Sequence, residues 1–148
     1  AVSHAFNLKK ALDGFAQEPA NFIFLGDLNT MGINDPVPYC KRLDMSSEEE
    51  VSRIADWAVR RKMRLMNKES VMVEGVSREV TWYNGSNNYK PTNLDHVVAS
   101  DHMNIRSHPD TEGVEIALLG WPRLPEAEWE DWLTEYSDHA LLYFEVCE

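Results

Sequence analysis

The feature that most narrows the fold is a run of four apolar residues, Phe22-Ile23-Phe24-Leu25, that stops at Gly26-Asp27. A short unbroken apolar run ended by a breaker reads as a strand buried on both faces. Further short apolar stretches read as strands at Val71–Val73, Val80–Tyr83, Leu94–Ala99, Val114–Leu119 and Leu141–Val146. Helical spacing interrupts them in three places. Ala5, Leu8, Leu12 and Phe15 share one face of an opening helix, with Lys9, Lys10 and Asp13 turned away. A second helix starts at Ser46 or Ser47, each with a glutamate three residues on, Glu49 or Glu50, the capping-box pattern. Its apolar face includes Val51, Ile54, Ala55, Ala58 and Leu65. Trp129, Trp132, Leu133 and Tyr136 space a third, short helix after Pro125. Gly32 to Pro38, and the stretch from Asn84-Gly85 to Pro91, read as loops. Strands and helices mix without strict βαβ alternation, which predicts an α+β domain.

At 148 residues the chain is long enough for one domain with a core of its own. The formal net charge of −11 argues against a generic basic wrapper of nucleic acid and against a polybasic membrane binder. From Asp110 to Glu148 there are eleven acidic residues and one basic, Arg123. Five bases crowd a short stretch: Arg60, Arg61, Lys62, Arg64 and Lys68. They read as a solvated surface, or as one that leans toward an anionic ligand. Cys40 and Cys147 alone make neither a disulfide framework nor a zinc site. No apolar run reaches the roughly 18–20 residues of a spanning helix, and no secretory signal opens the chain, so the expected location leans to the cytoplasm.

Three segments could carry chemistry. Gly26-Asp27-Leu28-Asn29 sets a carboxylate and a carboxamide two residues apart at a strand end, where period-2 geometry points both to one side. The same residue types also begin ordinary turns. In Asn93-Leu94-Asp95-His96-Val97-Val98, Asp95 lies in a predicted buried strand and needs a partner, because a lone buried carboxylate is costly. Ser137-Asp138-His139 opens the last apolar stretch and joins an acid to an imidazole. The same triplet occurs as Ser100-Asp101-His102, which runs into polar sequence and reads as surface loop.

Taken together and in order, these segments resemble the carboxyl-terminal half of the endonuclease/exonuclease/phosphatase superfamily, whose members include DNase I and exonuclease III. That family has a Gly-Asp-x-Asn strand end, an apolar-Asp strand and a closing Ser-Asp-His, and Thr81-Trp82 resembles a Thr-Trp pair common in it. The resemblance covers nearly the whole chain. It implies half of a DNase I-like four-layer α/β sandwich, mostly antiparallel sheet with flanking helices. It also implies hydrolysis of a phosphate ester by activated water with Mg²⁺ or Mn²⁺. In that reading Asp27 orients and deprotonates the water and also holds metal, and Asn29 hydrogen-bonds the phosphoryl oxygens. Asp138 joins the metal site, and His139 contacts the scissile phosphate. Asp95 fixes the tautomer of His139, and Trp82 lies against substrate. Whether Asp27 or His139 is the base stays open. So does the substrate, which is a nucleic acid or a small or lipid phosphate. The family's amino-terminal half, with its metal-binding glutamate, has no counterpart before Asp27. The expectation is therefore a fragment that is inactive alone, completed by its missing half or a second chain, with an uncovered sheet face that favours a homodimer. The other functional class is a non-catalytic binding domain on the same scaffold.

Overall fold

In a computed structural model of the chain, residues 2–16, 18–35, 43–86, 88–107 and 113–147 are described. In chain order the elements are α1 (Val2–Phe15), β1 (Ile23–Asp27), β2 (Ile33–Asp35), β3 (Leu43–Met45), α2 (Ser47–Val59), β4 (Met63–Leu65), β5 (Val71–Val73) and β6 (Val76–Arg78). There follow β7 (Asp95–Ser100), β8 (Asn104–Arg106), β9 (Ala117–Leu119), α3 (Trp129–Glu135), β10 (Leu141–Tyr143) and β11 (Glu145–Cys147). The strand pairs β2–β3, β4–β7, β5–β6, β8–β11 and β9–β10 are antiparallel, so the class is α+β. Among the described residues no helix is long and apolar enough to cross a membrane. The chain divides into two compact units, residues 1–65 with 96–102, and residues 66–95 with 103–148.

In the first unit, Ser46 caps α2, the first of the two positions that the capping-box pattern offers. Its hydroxyl accepts the Glu49 N–H, and the Glu49 carboxylate accepts the Ser46 N–H. The helix stops at Val59 because Lys62 turns left-handed (φ 53°) and the Arg61 and Lys62 N–H groups fold back onto Ala58 and Val59. Leu65 therefore lies in β4 and not on the helix face expected of it. Gly32 is required where it stands: its φ is +85°, and a Cβ there would meet the Met45 carbonyl oxygen at 2.7 Å. The expected loop 32–38 is strand over Ile33–Asp35, and 36–38 lie outside the described residues.

A sheet of order β1–β7–β4 supports this unit. Its middle strand, β7, has all six residues buried. β1 lies at an edge, and Leu25 is 55% exposed, so the expectation of burial on both faces fails there. The core gathers Phe6, Ile54, Ala58, Met63 and Val98, with Phe22 and Phe24 against it. The opening helix forms where expected but buries a different face. Phe6 meets Phe24 edge-on at 5.3 Å, and Lys9 is fully buried, while Leu8, Leu12 and Phe15 stay exposed. Positions 6, 9 and 13 form a competing helical strip. Lys9 tucks in its methylene stem and bonds Asp13 at 2.6 Å, and Asp13 also takes the Ala20 N–H, pinning the turn into β1.

In the second unit, β5 and β6 form a tight hairpin through Glu74 and Gly75, both at positive φ as a type I′ turn needs. Its core is Val73, Val80, Trp121 and Trp129, ringed by Tyr83, Leu124, Trp132 and Leu133. Trp121 and Trp129 pack edge to face at 4.9 Å, and the Trp129 indole N–H reaches the Leu124 carbonyl. The expected closing strand 141–146 breaks at Phe144 into β10, which pairs with β9, and β11, which pairs with β8. The expected strand at 80–83 contributes only bridges at Trp82, and strand 114–119 contracts to β9.

Candidate functional site

Thr81 and Trp82 organise the second unit. Trp82 bridges antiparallel to Thr92 on one side and to His139 on the other. The Ala140 N–H donates to the Thr81 carbonyl at 2.7 Å, and the Tyr83 N–H donates to the Asp138 carbonyl at 3.0 Å. The Thr81 hydroxyl accepts the N–H groups of Leu94 and Asp95 at 2.9 and 2.8 Å. Segments 92–95 and 137–140 are thus laced to one Thr-Trp pair.

That lacing places His139 against Asp95. The imidazole Nδ1 lies 2.8 Å from the Asp95 Oδ2. The carboxylate is nearly buried and the imidazole one-third exposed. A buried carboxylate that accepts an Nδ1–H fixes the tautomer with the proton on Nδ1. Asp138, exposed, accepts the Trp82 indole N–H on Oδ2 at 2.9 Å. The Ser137 hydroxyl accepts the His139 N–H, which turns the chain between the acid and the imidazole. Trp82 in turn meets the edge of Tyr89 at 6.1 Å. Of the residues singled out from sequence, Asp95, His139, Asp138 and Trp82 are brought together here.

Asp27 and Asn29 belong to the first unit and sit at the exposed end of β1. The Asn29 N–H donates to Asp27 Oδ1 at 2.7 Å, and Asn29 itself is left-handed (φ 54°). The strand has ended before Asn29, so the period-2 expectation that both side chains point one way does not hold. The local geometry is an Asx turn, in which Asp27 caps its own backbone. Beside it, Thr30 and His96 form a fully buried pair, Oγ1 to Nε2 at 2.8 Å, that sequence reasoning missed. Its only signal was a histidine inside an apolar strand. The second Ser-Asp-His copy is surface turn at Asp101 and His102, and His102 bonds Asn21 at 2.7 Å. Ser100, by contrast, is buried and ties Ala20 and Phe22 to β7.

The basic stretch does not form one surface. Arg60 and Arg61, with Ser3, Phe6, Asn7 and Trp57, line a cleft of about 310 Å³ on the first unit. Lys68 lies in the second unit and is buried. Its ammonium donates to the Asp95 carbonyl at 2.8 Å and lies 3.6 Å from Glu79 Oε2. Burial lowers its pKa below the ordinary lysine value, with Glu79 and then Asp95 opposing the shift.

Among the described residues no three His, Cys, Asp or Glu side chains form a ready metal cage. Mg²⁺ needs less, since it is held by one or two carboxylates with water and substrate phosphate filling its shell. Asp138 keeps a second oxygen beyond the one bonded to Trp82, and it is a hard donor, so it fits that ion. No family model, curated protein or solved structure matches the chain.

Proposed function

We propose that the chain carries the carboxyl-terminal part of a metal-dependent phosphoesterase, on half of a DNase I-like sandwich. The observation that supports this reading best is the 2.8 Å pairing of His139 Nδ1 with the nearly buried Asp95 carboxylate, beside Asp138. An imidazole oriented by a buried acid is the arrangement general acid–base chemistry uses. With Nδ1 committed to Asp95, phosphate contact and proton transfer fall to Nε2. Asp95 supports the imidazolium that forms when Nε2 takes up a proton. The Trp82 indole holds the Asp138 carboxylate in place. Asp138 would hold Mg²⁺ or Mn²⁺, and the bound ion would offset charge building on the phosphoryl oxygens. Water activation by Asp27 and phosphoryl binding by Asn29 rest on the resemblance alone.

The test is Mg²⁺-dependent hydrolysis of a generic phosphodiester by the natural protein, compared with its His139→Ala and Asp27→Ala variants. Each variant is expected to lose about 100-fold or more in rate with its fold intact. Near-normal turnover by either variant rejects its role. If the natural protein binds phosphate esters with Mg²⁺ but never cleaves them, a binding domain replaces the enzyme.

A further inference from the structure

We infer that Lys68 is a positioning residue that clamps the main chain of Asp95 and so keeps its carboxylate on His139. The inference rests on the acid–base reading of that pair. A lysine ammonium is seldom buried without a specific partner. The side chain of Lys68 is 1% exposed, and its Nζ is aimed at the carbonyl of Asp95, whose carboxylate meets the imidazole.

The clamp has two jaws. The Asp95 N–H donates to the Thr81 hydroxyl at 2.8 Å, and its carbonyl accepts from Lys68 Nζ at 2.8 Å. With both peptide groups held, the side chain leaves a fixed backbone. Lys68 is itself braced by Glu79. Glu79 Oε1 accepts the Lys68 N–H at 3.4 Å, and Oε2 takes the Asn93 amide at 3.0 Å while lying near the ammonium. Asn93 is two residues before Asp95, so the brace returns to the same strand entrance. A bridge from Lys68 to Ile116 anchors the other end of the lysine's own backbone. Catalytic pairs lose function when misplaced by about 1 Å, and groups behind the reacting residues hold that tolerance. Neither role needs the lysine to touch substrate. Sequence alone hides it, because Lys68 reads as the last member of a surface basic cluster.

The test uses Lys68→Met, which keeps the stem and removes the donor. In the 148-residue chain, long-range ¹H–¹⁵N correlations read the tautomer of the neutral His139 ring. The wild type is expected to show Nδ1–H, and Lys68→Met to shift the population several-fold toward Nε2–H. An unchanged tautomer in a folded variant overturns the clamp. Should Lys68→Met not fold, the wild type still decides. A protected Lys68 ammonium with a coupling across its hydrogen bond to the Asp95 carbonyl carbon supports the clamp, and its absence overturns it. In the natural protein, Lys68→Met should lower kcat about 10-fold or more with KM nearly unchanged. A tautomer shift in Lys68→Met, beside a natural protein that hydrolyses nothing, sinks the phosphoesterase reading and leaves the clamp standing. Hydrolysis with no tautomer shift does the reverse.

Discussion

Asp95 is held at three points: Thr81 takes its N–H, Lys68 its carbonyl and His139 its carboxylate. Its need for a partner was legible from the sequence, because an acid in an apolar strand must find one. The identity of its main-chain holders was not, since threonine and lysine carry no local sign of what they will bond. Lys9 teaches the same lesson. It reads as a solvent-facing charge, yet it is fully buried because Asp13, one turn on, can meet its ammonium. The Lys9 hydrogen bond first, and the Ala20 N–H second, hold the Asp13 carboxyl below the usual aspartate range. A carboxyl whose pKa is lowered by folding adds stability that is complete above its unfolded value of about 3.9 and lost as pH falls through the folded one. Asp13→Asn should therefore flatten the acid limb of stability below pH about 4, as read by denaturant unfolding between pH 2 and 6. An unaltered acid limb would show that the pair contributes nothing.

At the scale of elements, legibility follows the range of the interactions. The start of α2 is set within four residues by Ser46 and Glu49 and was readable from sequence. Ser46→Ala should cost about 1 kcal/mol of stability, measured by thermal or urea unfolding, and no loss would mean the cap is redundant. Strand ends were less readable. The apolar stretch 141–146 forms two strands because each half finds a different partner, Ala117–Leu119 or Asn104–Arg106. The buried face of α1 could not be chosen from the helical wheel, which offers two strips. Packing of Phe6 on Phe24 decided between them.

At the scale of the whole chain, large apolar side chains stay exposed on both units. Leu25 on β1 is 55% exposed, Leu141 on β10 57%, Val146 on β11 54%, and Phe15 at the end of α1 90%. Exposed strand apolars are a route to self-association. The isolated chain is expected to dimerise or aggregate in light scattering as concentration rises, and an ideal monomer throughout would contradict this. The tripeptide Ser-Asp-His occurs twice, and the two copies show where sequence stops deciding. Sequence by itself determined the order of the three segments, the start of α2 at Ser46 or Ser47 and the need of Asp95 for a partner, because each depends on neighbours along the chain or on the cost of burying a charge. Only the tertiary structure decided that His139 meets Asp95 while His102 bonds Asn21 at the surface. It also decided that Lys68 turns inward. Those outcomes depend on bridges such as Trp82 to His139, which join residues far apart in the chain and leave no trace in local composition.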